Sequence, residues 1–399
     1  MKKIKFIALF LCLTSLISLF ICIPVVSATE PDWATNVPEL PEYDYSFAVL
    51  GDTQNLMKYN NYDNYHAMYD WIIENKDTHK IKFVMGLGDI TEDDTEKEWE
   101  HAKQVRKKLC ENGILNSFVR GNHDLKESRF NKYFSPYEFG NTVSGKYEEH
   151  SMLNTYTKFT AGDLNYIVFA LTVGPSDEIL NWVGNIAEKN PDHNIIITTH
   201  VYLNDKGTHT QAPSAGHKKY YGTNGGEQIW DKLISKHENI IMVLSGHYTQ
   251  RAIEKAYPRA YNGNYVAEMM IDAEQPDEDF KDIGGLGLVA MFYFSNGGKR
   301  LDVRYYSTVH EKYYMDENQF TMSLDLAGDP IKTPAATTRA PRDTKAPEST
   351  ATPDKDIIDA TQANNTERNT VIAIAVISGA VLITGASTTI IIIQKKKKK

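Results

Sequence analysis

Between about Tyr43 and Leu326 the chain alternates short apolar runs with amphipathic stretches. The runs SFAVL, IKFVMGL, LNSFV, NYIVFAL, NIIIT and NIIMVL are almost continuously apolar, the pattern of strands buried on both faces. The stretches NYHAMYDWIIEN, EKEWEHAKQVRKKLCEN and SDEILNWVGNIAEKN place apolar residues at helical spacing, and Ser176 stands where the third needs an N-cap. Such alternation predicts an α/β layered sheet. After Arg251 the pattern changes. YVAEMMIDAEQ and LGLVAMFYFSNGGKRLDVRYYST read as strands, the second a hairpin turning at Asn296-Gly297-Gly298. No internal repeat is present.

The two ends differ from this body. Residues 1–28 carry a lysine-rich start, an apolar middle and the small residues Val26-Ser27-Ala28, which predicts a secretory signal peptide. Residues 332–370 are rich in Pro, Thr and Ala without an apolar period, so they read as a disordered stalk. Residues 371–393 are long and apolar enough for a transmembrane helix, and the lysine tail of 394–399 marks its cytoplasmic side. The expectation is a single-pass type I protein of the cell membrane, held by one C-terminal helix, with a folded domain at 29–331 facing the extracellular side.

Composition narrows this picture. The formal net charge is −9, and the lysines outside 29–331 make the domain itself more acidic still. A nucleic-acid-binding surface is therefore not expected. Any anionic substrate needs a local positive site, which a bound metal would supply. Cys12 and Cys22 lie in the signal segment, leaving Cys110 alone, so no internal disulfide is expected and Cys110 reads as a packed thiol.

The residues just after each apolar run carry the chemistry. FAVL leads to Gly51-Asp52-Thr53-Gln54, and FVMGL to Gly88-Asp89. SFV leads to Arg120-Gly121-Asn122-His123-Asp124, IIITT ends at His200, and IIMVLS ends at Gly246-His247. Five strand ends thus deliver carboxylate, amide or imidazole groups to one edge of a sheet, where ligands of α/β folds gather. Each signal alone is weak, since a Gly-Asp pair is most often a turn and a lone histidine most often packed. Their ordered recurrence is not weak.

The set GDTQ, GD, GNHD, TTH and SGHYT resembles the calcineurin-like metallophosphoesterase family, over roughly Phe47 to Tyr306. The resemblance implies a four-layer sandwich of two packed mixed β-sheets flanked by helices, with the metal site at strand C-terminal ends. By position it implies Asp89 as a bridging carboxylate, with Asn122, His200 and His247 at a second metal. Asp52 and positions 54 and 249 would form the first. His123 would be the proton donor and Asp124 would orient its ring. Two divalent ions would neutralise a phosphate ester, activate water and clamp the reacting oxygens.

Gln54 and Thr249 depart from the family pattern, which has histidine at both positions. Their oxygen donors favour Mn, Mg or Ca at the first site, while Zn or Fe suits the second. The expected activity is hydrolysis of phosphate mono- or diesters in a phosphorylated small molecule or surface polymer. The rival reading is a non-catalytic surface binding module with a degenerate pocket. Between Val201 and Gly226 a polar segment spans two of the motif-bearing strand ends, a length that suggests a role. His209, His217, Lys218, Tyr220 and Tyr221 there, with Arg120 and Arg251 beside the motifs, are candidate substrate contacts, against surface loop and salt-bridge readings.

Overall fold

The six apolar runs all become strands in the computed structural model, which describes residues 33–37, 39–273 and 286–329. In chain order the strands are β1 (Ala34–Thr35), β2 (Tyr45–Leu50), β3 (Ile81–Gly86), β4 (Leu115–Phe118), β5 (Gly145–Lys146), β6 (Thr155–Ala161) and β7 (Leu164–Ala170). They continue as β8 (His193–Thr198), β9 (Ile240–Ser245), β10 (Glu254–Ala256), β11 (Ala267–Met270), β12 (Leu288–Ser295), β13 (Arg300–Ser307), β14 (Lys312–Tyr314) and β15 (Phe320–Ser323). One sheet runs β1-β14-β13-β12-β2-β3-β4, with β15 also paired to β13, and the other runs β10-β11-β9-β8-β7-β6-β5.

Both sheets are mixed. β2, β3 and β4 are parallel, while β12 joins β2 antiparallel. β7, β8, β9 and β11 are parallel, while β6 and β10 close the pattern antiparallel. The search for continuous apolar runs misses β6, because TYTKFTA alternates polar with apolar residues and is only half-buried. Its partner β7 supplies the continuous apolar face.

Alternation of side chains across each strand builds the layers. Phe47 and Val49 of β2 meet Tyr166 and Val168 of β7 between the sheets. Ala48 and Leu50 point the other way, under Tyr65, Met68 and Ile72 of the helix Tyr62–Glu74 and Trp99 of the helix Glu96–Glu111. On the far side Ile167 and Phe169 pack with Leu180 and Val183 of the helix Asp177–Glu188. Helices, sheet, sheet and helices therefore form four layers.

The acidic stretch after Asp89 leads into a helix, whose N-terminus favours negative side chains. Thr95 caps the helix Glu96–Glu111, accepting from the Glu98 amide, and Glu98 completes the capping box. Glu98 also accepts from the amides of Glu92 and Asp93, at 3.1 and 3.2 Å. The cap thereby fixes the loop that carries Glu92 toward the strand ends. Ser176 caps its helix as expected.

The single-pass type I arrangement, with its membrane anchor and extracellular domain, is corrected. Among the described residues no helix is long and apolar enough to cross a membrane. The 16-residue helix Glu96–Glu111 rises about 24 Å, short of the roughly 30 Å apolar layer, and its outer face is charged. The segment 371–393, on which the anchor depended, lies outside the described residues, as do 1–28, 332–370 and 394–399.

Candidate active site

The five motif-bearing strand ends converge. Asp52 follows β2, Asp89 follows β3, Asn122 and His123 follow β4, His200 follows β8 and His247 follows β9. Both sheets contribute, so the cluster sits at the seam of the sandwich. Asp89, His200 and His247 each offer a ligand atom, all within 4.8 Å of one another.

His200 organises the centre. It is fully buried, and its Nδ1 donates to the Leu87 carbonyl at 3.0 Å. That bond turns Nε2 toward Asn122 Oδ1 at 2.9 Å and Asp89 Oδ2 at 3.2 Å. Asp89 Oδ1 accepts the His123 amide at 2.8 Å. Across the seam, both oxygens of Asp52 accept the His247 amide at 3.2 Å. The His200 and His247 rings lie 5.0 Å apart.

Two of these residues hold strained backbone. Asp89 and His247 have φ of 44° and 77°, a region that residues with side chains rarely adopt. Two glycines make room for the carboxylates. A Cβ at Gly121 would fall 2.1 Å from Asp89 Oδ1, and one at Gly246 2.1 Å from Asp52 Oδ1.

Charge follows geometry. Burial alone would raise the Asp89 pKa, but the charges of His200 and His123 and the His200 hydrogen bond hold it well below the carboxylate range. Burial opposes a charge on His200, yet Asp89 outweighs it and raises that ring. His247 goes the other way, lowered to about 3 by burial and by His200. The two neighbouring imidazoles are therefore shifted in opposite directions.

The residue facing the His123 ring is Glu92 rather than Asp124. His123 Nδ1 lies 3.1 Å from the Glu92 carbonyl and 3.3 Å from its carboxylate. Burial is overcome by Asp89 and Glu92, which raise His123 to about 10. Lys58 holds Glu92 from outside at 3.3 Å. Asp124 points inward and accepts from the amides of Ile90, Thr91 and Gly121 and the Thr91 hydroxyl. Burial and the Asp89 charge push its pKa up to about 6. Asp124 thus braces the loops under the site instead of orienting His123.

A family model described as calcineurin-like phosphoesterase matches residues 45–250. The chain belongs to that family. A curated relative, the uncharacterized protein YvnB of Bacillus subtilis, is 26% identical over 301 residues, covering 71% of this chain and 22% of YvnB. This chain therefore spans under a quarter of that relative. Solved structures of similar fold include a dimetal phosphatase from Danio rerio, 10% identical, with a TM-score of 0.44 over 71% of this chain and 99% of that one. Purple acid phosphatase PPD1 from yellow lupin (Lupinus luteus) is 12% identical, with a TM-score of 0.41 over 72% of this chain and 55% of that one.

In this calcineurin-like phosphoesterase, two of the substrate-contact candidates are engaged elsewhere. Arg120 is buried and donates to Thr172 Oγ1 and to the carbonyls of Gly121 and Asp124. His209 Nε2 pairs with buried Glu268 at 2.8 Å, and Tyr202 donates to the other oxygen of that carboxylate. Both are structural ties, so neither is available to a phosphate. His217 sits on the segment 201–226, and Arg251 is exposed. Tyr221 of that segment lies 5.4 Å from the His247 ring, so the segment does approach the site.

The two positions that depart from the family pattern are also placed. Gln54 opens the helix Gln54–Lys58, and its Oε1 is buried with no hydrogen-bond donor among the described residues. Thr249 donates through Oγ1 to Asp272 Oδ2 at 3.2 Å. Asp272, beside Thr249, and Glu92, beside His123, are the neighbours of the motif residues that sequence reasoning missed. Asp272 closes the apolar run YVAEMMID, and the rule applied to the other strand ends would have found it. Glu92 lies in a loop and carries no such signal.

Proposed function

We propose that this phosphoesterase hydrolyses phosphate mono- or diesters with two divalent ions held at the seam. The observation that carries the reading is the convergence of Asn122 Oδ1 and Asp89 Oδ2 on His200 Nε2, at 2.9 and 3.2 Å, with His247 beside them. These donors suit a cation, and so does the donor-less buried oxygen of Gln54. Asp89, Asn122, His200 and His247 would hold one ion. Asp52, Gln54 and the other face of Asp89 would hold a second, of the harder Mn, Mg or Ca type. Bound ions supply charge neutralisation and an activated water.

The chain's own residues do the rest. Asp89 fixes the His123 backbone through its Oδ1 contact, setting where the ring stands. Glu92 occupies Nδ1, which leaves Nε2 to carry the proton toward a leaving oxygen. The His123 side chain is 24% exposed, enough to meet a substrate from solvent. Asn122 is neutral, which limits the negative charge facing an anionic ester.

The test is metal removal followed by add-back of single divalent ions, with hydrolysis of generic phosphomonoester and phosphodiester dyes as the readout. Restoration by manganese or magnesium is expected. A folded protein inactive with every ion would leave a binding module as the surviving interpretation.

Ion loading is also expected to release protons. Asp89 raises His200, which favours a proton on the ring, and Nε2 faces Asn122 Oδ1 and Asp89 Oδ2. An ion at Nε2 must displace a proton held there, so filling that one position should release up to about one proton per chain near neutral pH. Affinity should fall as pH falls, by up to about tenfold per unit once His200 is fully protonated. Calorimetry in buffers of different ionisation enthalpy measures the release directly; no buffer dependence would contradict it.

A further inference from the structure

β11 lies parallel beside β9, with Met270 opposite Ser245, so Asp272 and His247 leave neighbouring strands in the same direction. The Ile271 amide continues the ladder to the Ser245 carbonyl at 2.8 Å, and the Gln250 amide donates to the Asp272 carbonyl at 2.7 Å. These bonds lock the segment 245–250 to the end of β11. The Thr249 hydroxyl then meets Asp272 Oδ2 at 3.2 Å.

Asp272 also adjoins the residue expected to hold the first ion. A Cβ at Gly51 would fall 2.4 Å from the Ile271 carbonyl oxygen and 3.4 Å from the Asp272 Cα, so the two chain segments touch just before Asp52. Asp52, Ala273 and Tyr305 line one cavity, which places the residue after Asp272 on the same wall as Asp52. Asp272 is 1% exposed.

We propose that Asp272 supplies the oxygen donor of the first metal position where the family pattern has a histidine at 249, and that Thr249 is its positioning residue. The proposal rests on the two-ion reading of the site. A hydroxyl is a weak ligand, whereas a carboxylate is a hard, charged donor suited to Mn, Mg or Ca. Thr249 fixes the rotation of that carboxylate through Oδ2. Two divalent ions facing Asp52, Asp89 and Asp272 still leave one positive charge for an anionic substrate.

The experiment counts ions. Full-length protein is stripped with chelator, reloaded with manganese alone and desalted. Retained manganese is measured by mass spectrometry, and its affinity by calorimetry. Wild type is expected to hold two ions per chain. Asp272→Asn, which preserves shape, is expected to hold one tightly, with affinity for the other reduced by about 10–100-fold or more. Adding Thr249→His to Asp272→Asn should return the second ion, because the imidazole replaces the lost donor.

Asp272→Asn holding two ions at unchanged affinity overturns the role of Asp272 and leaves the two-ion reading standing. Wild type holding one ion overturns both. Circular dichroism in chelator reports folding. If Asp272→Asn does not fold, Thr249→Val carries the test: it should weaken the same ion about tenfold, and unchanged affinity there overturns the proposal.

Discussion

Asp89→Ala is expected to strip the protein of retained divalent ions and to cut hydrolysis of both generic esters by more than about 10³-fold. Both of its carboxylate oxygens are engaged in the cluster. Oδ1 holds the His123 amide, while Oδ2 faces His200 Nε2. Alanine would therefore remove a bridging ligand and release the backbone that presents the proton donor. Mass spectrometry of bound ions, run beside the kinetics, checks both parts. Retention of two ions by Asp89→Ala would remove it as the bridge.

The same variant tests the electrostatics of the metal-free protein. His200 is raised by Asp89, so their ion pair contributes fully below the ordinary histidine pKa and fades as pH rises through the raised value. Asp89→Ala should lower the melting temperature in chelator more at mildly acidic than at alkaline pH. An equal loss at both would mean that Asp89 acts through its hydrogen bonds alone.

His123→Ala is expected to lower kcat by about 10²–10⁴-fold while leaving the ion count unchanged. The contrast with Asp89 comes from position. His123 touches the cluster only through its backbone, and its ring turns to Glu92 and to solvent. Loss of activity without loss of metal identifies a proton donor. Loss of both would make His123 a structural residue. A substrate with a good leaving group needs little protonation, so the defect should shrink as the leaving-group pKa falls. A constant defect across such a series would argue against proton donation.

The sandwich was legible because buried strands and amphipathic helices leave different periods in a sequence. Phe47, Val49, Tyr166 and Val168 could be assigned to strands from their runs alone, and Ser176 could be placed as a cap. The ordered polar residues after those runs also marked Asp52, Asp89, Asn122, His123, His200 and His247, because parallel strands send their ends to one edge. The expectation for residues 371–393 fares differently: the segment lies outside the described residues, and among those no helix is long and apolar enough to cross a membrane.

Side-chain partners were decided only by the tertiary structure. The sequence places Asp124 next to His123, but neighbours along a turn point in different directions, and the loop after β3 brings Glu92 to the ring instead. His209 and Arg120 look like anion contacts until packing shows a buried carboxylate for one and carbonyls for the other. Thr249 looks like a lost ligand until the end of β11 sets Asp272, 23 residues further along, against it. A sequence by itself determines which residues reach the edge of a sheet, because strand period and direction are local. Which atoms face each other there depends on loops closing across two sheets, and that only the folded chain decides.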